Sequence, residues 1–563
     1  MKRNKIVAFA LASLMGVTSV GVLSSCGTRK PGGLGAVVES APVVDDTKSI
    51  LTVATFNGGV GHEWLQEAAL RFEELHTETV FESGKKGVIV DVAYDKDNYG
   101  GTVLAEKTLN KDVYFTEGIE YYRFVNDGKV ADITDVVDGT FTTYGQEVDA
   151  QGQPVSIESK LDPSFKSYFT EKDGRYYMLP FYDGFYGFIY DVDLFEQEGY
   201  YFDEDGDTIK KTPGETQKSF DDRKSTGPDG IAGNYDDGLP KTYEQFVELI
   251  DIISINNVPF CYSGNYNDYV SKAFRSFIAD YEGEAFKLNY TLTGNDVELI
   301  NVDDSGNVTT FTEDITPENA YLLKKQAGNY YALMMQEKLF GSTKYIGGNW
   351  NAFDFTEAQS EFIMSKYTAR RYAMLIDGVW WENEATKVFT DLEFRGDTKA
   401  SRRFGFLPIP KQNTDRAGNQ TMLSANSSFC FINKQCKNMD LAKEFMRFIH
   451  TDVEMSHFSA KTSITRSLNY TVTAEDRAKA THFGKTLIDM RAQATVIYPY
   501  STVDLVLDNP SAFTEQMWYL TAKINNSNFN NPFNAFRDNT ATAIQYFNGL
   551  YTFQNDVWPT LER

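Results

Sequence analysis

The chain has 563 residues, 42% hydrophobic and 14% aromatic, enough for more than one core and so for two or more lobes. Its formal net charge of −25 becomes more negative if Lys2, Arg3 and Lys5 are lost. Such a surface repels phosphate backbones and anionic lipid, which speaks against nucleic acid as a partner. The 33 Tyr and 41 Phe are first of all material for aromatic cores, and second a supply of rings that stack on flat or ring-shaped ligands.

In chain order, Lys2, Arg3 and Lys5 precede an apolar stretch over 6–22 and the run Leu23-Ser24-Ser25-Cys26-Gly27. This resembles a lipoprotein signal peptide with its lipobox. The resemblance implies removal of residues 1–25 and lipidation of Cys26. Residues 26–48 read as a flexible tether. No other apolar run is comparably long, so no membrane span is expected. Folding begins near Leu51 with a strand over 51–56, a Gly-rich turn over 57–61 and a helix over 62–76, whose Trp64, Leu65, Ala68, Ala69 and Phe72 keep a 3.6-residue period. Strands over 87–92 and 112–115 complete a right-handed α/β unit with a parallel sheet. The turn does not match G-x-G-x-x-G and has no phosphate-loop Lys. It reads as a ligand-facing loop at the carboxyl end of a strand.

The stretch 173–195, DGRYYMLPFYDGFYGFIYDVDLF, is apolar on both faces and interrupted by Pro180, Gly184 and Gly187. A strand apolar on both faces is buried in a covered sheet, and Pro cannot donate to a ladder. The two halves are therefore assigned to different sheets, with Asp191 capping a short helix that ends near Gly199. Residues 201–240 hold ten acids and many Gly. Asp203, Asp205 and Asp207, and Asp229, Asp236 and Asp237, fall in two segments that resemble oxygen-rich calcium loops, although Thr208 stands where an EF-hand needs Gly. A solvated polar insertion is the plain alternative. Further along come a helix capped by Thr242, strands over 258–261, 371–376, 404–410 and 427–433, helices over 317–336 and 440–449, and a mostly helical C-terminal part.

Five His are present and none stands in H-E-x-x-H, and no G-x-S-x-G elbow occurs. Cys261, Cys430 and Cys436 read as buried thiols, with a 430–436 loop closure as the alternative. Aromatic and polar residues recur where strands end: Asn57 and Gly58, Trp64, Asp183 and Tyr186, Tyr262 and Tyr266, Asp377, Trp380 and Trp381. Sugars need flat rings for their C–H faces and carboxylates or amides for their hydroxyls.

The segments DGRYYMLP, YGFIYDVDLFEQEGY, LPKTYEQF, YAMLIDGVWWENEA, FGFLPIP and NSSFCFINKQCKNMDLAKEFMRFI, in this order behind a lipobox, resemble the extracellular solute-binding lipoproteins of ABC importers, the family that includes maltose-binding protein. The resemblance implies an α/β, two-lobed periplasmic-binding-protein-like fold (type II) with hinge strands and a helix-rich C-terminal part. Lobe 1 would be 49–180 plus 377–432, and lobe 2 would be 181–376 plus 433–563. By the same resemblance Asn57, Gly58, Asp183, Tyr186, Tyr262, Tyr266, Asp377, Trp380, Trp381 and Asn426 face ligand, and the aromatic clustering adds Trp64. The sequence departs from the family pattern in the 201–240 insertion and after Tyr470, where Phe513 or Trp518 would add a further wall. The implied function is capture of a carbohydrate by hinge closure and delivery to a membrane permease. That implies a monomer, no catalysis and no required cofactor; structural calcium is suggested only by the acids of 201–240, where it would order the insertion. A secreted glycan hydrolase, a glycan-capture lipoprotein without a transporter, and another solute such as a peptide or polyamine stay open.

Overall fold

The computed structural model describes residues 45–563 apart from 142–143, 145–146, 150, 348–349 and 426, so Cys26 and Asn426 lie outside the described residues. The first sheet is nucleated by the expected parallel unit. Ser49–Phe56 pairs in parallel with Val88–Asp95 over its whole length and with Val113–Glu117 on its other side. Between the first two strands runs helix Glu63–Leu75, which buries Trp64, Leu65, Ala68, Ala69 and Phe72, the face given by the 3.6-residue period. Two antiparallel strands, Leu179–Pro180 and Ser428–Ile432, finish this sheet, with Ser428–Ile432 between Val113–Glu117 and Leu179–Pro180 at the edge. Among the described residues no helix is long and apolar enough to cross a membrane.

The second sheet is organised around Tyr186–Asp191, which lies between Tyr372–Gly378 and Phe404–Leu407 and pairs antiparallel with both. Val258–Cys261 closes it in parallel on the far side of Tyr372–Gly378. Every residue of Tyr186–Asp191 except Tyr186 is buried, as a both-faces-apolar strand requires. Gly405 is paired with Tyr190 and lies under its ring, where an added Cβ would come within 2.4 Å of a ring carbon. Asp191 ends the strand and caps the next helix, its carboxylate accepting from the Leu194 amide at 3.0 Å, and Gly199 ends that helix in the left-handed region.

The chain crosses between the sheets over residues 181–185, as Pro180 and Gly184 had suggested. The other two expected crossings move. Tyr372–Gly378 and Phe404–Leu407 both stay in the second sheet, so the return falls between 407 and 428, not at 376–378. Directly after 432 the chain stays with the first lobe, and only later segments such as Phe533 join the core of the second. Helices Met439–Ile449 and Asp452–Thr462 bury Leu441, Phe445, Met455 and Phe458 in the same core as Phe115 and Phe431 of the first sheet. An apolar strand read alone carries no record of which sheet it joins, and this moved both boundaries.

The crossing is braced by later segments. The fully buried Asp183 carboxylate accepts from Thr465 Oγ1 at 2.7 Å, Tyr498 OH at 2.9 Å and Arg491 Nε at 3.2 Å. Arg466, equally buried, donates to the Phe181 carbonyl. Cys261, Cys430 and Cys436 are free thiols. A hairpin, Gly294–Val302 with Val308–Ile315, was not anticipated, although Val308, Thr310, Thr312 and the Asp303–Asn307 turn carry its alternation. Asp183→Ala leaves the half-buried Arg491 without its carboxylate and Thr465 and Tyr498 without their acceptor, and should cost about 3 kcal/mol of stability. Urea unfolding followed by far-UV circular dichroism reads this directly, and an unchanged midpoint would remove the brace from the account.

Candidate ligand cleft

The carboxyl ends of the parallel strands and the Gly378 end of the central antiparallel pair meet at one place. Tyr186 is paired with Gly378 at that end of the second sheet. Trp380, just beyond, stands edge-on to Tyr186 at 5.0 Å and 89°, and Tyr269 packs on Tyr186 at 5.3 Å. Two glycines make room for the indole. A Cβ on Gly378 would fall 2.3 Å from Trp380 Cζ2, and one on Gly59, in the turn after the first strand, 2.1 Å from Trp380 Cβ. Lys96, after the second strand, lies over the Phe355 ring at 4.8 Å. The two walls thus touch through a glycine turn and a cation–aromatic contact.

Between these aromatic contacts lies a set of acids. Gln359, fully buried, donates its Nε2 to Asp377 Oδ2 at 3.0 Å and to Glu384 Oε2 at 2.9 Å, so one amide bridges two carboxylates. On the opposite wall Glu117 accepts from Tyr182 OH at 2.6 Å. Among the described residues none of these three acids has an ion-pair partner within 4.0 Å. Burial holds the Asp377 carboxyl far above the ordinary range, and Glu384 adds to this. Burial also raises Glu384. Glu117 is pushed up to about 7 by burial, with Glu384 adding and the Tyr182 hydrogen bond and Lys96 opposing. The arrangement offers acceptors, amide dipoles and ring faces at the junction of the two sheets, which suits a polyhydroxylated guest.

The expected site residues divide into two sets. Tyr186, Asp377 and Trp380 are brought together here, while Gly58 packs on the Phe56 ring and its neighbour Gly59 is the glycine that meets Trp380. Asn57 is at the edge, its Oδ1 3.1 Å from His62 Nδ1, with His62 stacked on Tyr94. Tyr266 is 49% exposed and packs on Phe355 at 5.8 Å. Trp64 belongs to the first core, in contact with Phe115, Phe181 and Phe458. Trp381 is in the core against Phe362 and Phe404, and Tyr262 against Phe340 and Phe533. Asp183 is the hinge brace, with both carboxylate oxygens already hydrogen-bonded. Trp518 stacks in a separate core with Phe513 and Trp558. A tryptophan beside a cleft and one beneath it have the same sequence neighbourhood, which is why Trp380 and Trp381 could not be separated.

Sequence reasoning missed Gln359, Glu384, Glu117 and Tyr269. Glu384 follows the aromatic pair by three residues and Glu117 ends the third strand, so position at a strand or helix end was the available signal. The six acids of the insertion mostly hold their own turns. Asp203 Oδ1 accepts from the amides of Asp205 and Asp207, Asp229 from Ile231 and Asn234, and Asp236 Oδ2 from the Asp229 amide. Among the described residues no three His, Cys, Asp or Glu side chains are grouped so as to hold a metal ion.

The model of the family described as bacterial extracellular solute-binding protein matches residues 58–454, and the chain belongs to that family. No curated protein matches the chain in sequence. Among solved structures, it is similar to the GacH receptor of Streptomyces glaucescens GLA.O, with 12% identity and a TM-score of 0.50, over 92% of this chain and 100% of that one. It is also similar to the cyclic α-maltosyl-1,6-maltose binding protein of Arthrobacter globiformis, with 10% identity and a TM-score of 0.51, over 91% of this chain and 100% of that one. The fold is that of the two-lobed solute-binding proteins.

The Glu117 shift has a defined sign. Between the ordinary value of 4.5 and about 7 the folded protein keeps a proton that the unfolded chain has released. This contribution to stability is full below the ordinary value and is lost as pH rises through about 7. Asp377 and Glu384, also raised, act in the same sense. The melting temperature should fall between about pH 5 and about pH 8, and Glu117→Gln should flatten that slope. Parallel slopes in the two proteins would show that Glu117 does not titrate in this window.

Proposed function

We propose that this protein is the substrate-binding component of an ABC importer, and that it captures a carbohydrate, an oligosaccharide in preference to a single sugar unit, in the cleft between its lobes. The observation that carries this reading is the amide-bridged pair Asp377–Gln359–Glu384 beside the crossed rings of Tyr186 and Trp380. The rings suit the C–H faces of a sugar, and the raised carboxyls suit its hydroxyls, because a neutral hydroxyl neither needs nor supplies a full countercharge. The structure of the GacH receptor includes a complex with acarbose, and the Arthrobacter protein is named for a cyclic maltosyl-maltose, which supports a saccharide here as well.

Binding would draw the lobes together because a guest held by both walls favours the closed form by its differential affinity. No bond is made or broken, and no cofactor is needed. The closed form would be the one a membrane permease recognises. Cys26 would carry the lipid that keeps the folded part at the extracytoplasmic face of the membrane, and Cys26→Ser should then be recovered from the culture medium. Equal retention of both forms on membranes would contradict the anchor.

Titration calorimetry with maltotriose, raffinose and triacetylchitotriose should give saturable binding for at least one of them. Trp380→Ala should weaken it by about tenfold or more, a loss of at least ~1.4 kcal/mol. Small-angle scattering should show compaction on binding in the parent protein alone. Silence across neutral oligosaccharides, together with a response to a peptide or polyamine panel, would overturn the sugar reading while leaving the receptor reading standing.

A further inference from the structure

A cavity of about 650 Å³ opens at the other end of the second sheet. Tyr190 lies on its wall, four residues along the strand from Tyr186, or about 13 Å at the usual rise per residue. It is therefore separate from the cleft. Two segments outside the sheet build it. Gly233, Asn234 and Tyr235 come from the acidic insertion, and Arg477, His482 and Asp489 from the C-terminal part beyond 454, where the family match ends.

The charges on its wall are largely paired with one another. Arg403 binds Glu196 with Nη2 at 2.6 Å from Oε2, Arg477 binds Asp489 through two nitrogens, and Lys224 holds Asp221 at 2.8 Å. Lys224 also lies over the Tyr201 ring at 4.1 Å. Left over are Lys485, which has no ion-pair partner among the described residues, and Asp237, whose Oδ1 is buried without a hydrogen bond. The lining thus carries donors and acceptors in balance, with no excess of either sign and with the tyrosines 190, 201 and 235 among them. A phosphorylated or cationic ligand would find no net attraction, whereas a neutral polyol would find both hydrogen-bonding senses and the half-buried ring of Tyr235, Tyr190 and Tyr201 being buried in the wall behind it. A volume of this size falls within the range of small-molecule sites and exceeds what a single water cluster needs.

We propose that this cavity is a second saccharide-binding site, distinct from the transport cleft, that takes a neutral sugar or the end of a glycan chain. The proposal does not rest on the reading of the cleft. It is tested on the full mature chain with the cleft disabled by Trp380→Ala and Glu384→Gln, using maltotriose, raffinose and triacetylchitotriose as probes in saturation-transfer NMR and calorimetry. At least one probe should still bind this double variant at one site per chain. Adding Tyr235→Ala should weaken that binding by about tenfold. Lys485→Ala, a half-buried side chain outside any ion pair, should weaken it without changing the melting temperature. Tyr235→Ala in the otherwise unaltered protein should leave cleft binding as it was, so failure of one site is told apart from failure of the other. Absence of binding by all three probes to the cleft-disabled protein, or inorganic sulfate displacing a bound sugar, would overturn the proposal.

Discussion

The rest of the structure depends on how residues 181–185 are held as they pass from one sheet to the other. Phe181 and Asp183 are bound on one side by Arg466 and Thr465, and Gly184 is bound on the other by Ser424 and Ala425, whose backbone amide donates to the Gly184 carbonyl at 2.9 Å. Arg466 and Asp183 are both without exposure. A buried ion is tolerable only if its hydrogen-bonding capacity is met, and that is the case here: Asp183 has three side-chain partners, one of them the Arg491 guanidinium. The crossing is therefore a fixed part of the scaffold. Tyr182, on the Glu117 side, and Tyr186, on the Trp380 side, are separated only by this braced segment, so it links the two walls of the cleft through the shortest stretch of chain.

The contrast between Asp183 and Asp377 shows how burial serves structure in one place and recognition in another. Both are near-fully buried and both follow the same physics of desolvation. Asp183 is compensated by a cation and two hydroxyls from distant segments, which leaves it nothing to offer a ligand. Asp377 shares a single amide donor with Glu384 and takes its other hydrogen bond from its own neighbour, the Gly378 amide at 2.7 Å. Burial raises its proton affinity, with Glu384 adding to the rise, and no cation stands against it; the same lack of partners leaves hydrogen-bonding capacity at the strand end. A carboxylate that looked equal to Asp183 by composition and by neighbours is distinguished only by what arrives from elsewhere in the chain.

That point marks how far the sequence could be read. The parallel unit at the N-terminus, the doubly buried strand over 186–191, the Asp191 and Thr242 caps and the crossing after Pro180 were all legible, because each rests on periodicity, capping chemistry or the missing amide of proline. Tyr186, Asp377 and Trp380 could be grouped from the sequence because each sits at or just beyond a strand end. What was not legible required a third dimension. Trp64 and Trp381 share the local surroundings of cleft residues but face the cores. Gln359 comes from helix Phe355–Met364, which carries no motif, and it becomes a site residue only because that helix packs on the strand bearing Asp377. The later lobe boundaries failed for the same reason, since membership of a sheet is a property of the partner strand.

The C-terminal part, which the family match does not cover, is built into the second lobe rather than appended to it. Lys324 is buried with Nζ 3.7 Å from the Trp518 ring centre and donates to the Trp518 carbonyl, and burial drives its proton affinity well down. Arg275 lies over Tyr519 and pairs with Glu515 at 3.3 Å. Arg275 and Ser276 stand next to each other on helix Asp268–Glu282, and Ser276 donates to the Tyr186 carbonyl at 3.0 Å. The extension therefore grips the helix that backs the aromatic wall of the cleft. Helix His482–Gln493 grips the other end of the same sheet, with Thr486 Oγ1 accepting from the Phe406 amide and Arg491 reaching Asp183. Both ends of the strand Tyr186–Asp191 are thus reinforced by residues beyond 454. A lobe stiffened in this way can carry a binding surface at each end of one sheet, because loading either end need not deform the strand that connects them.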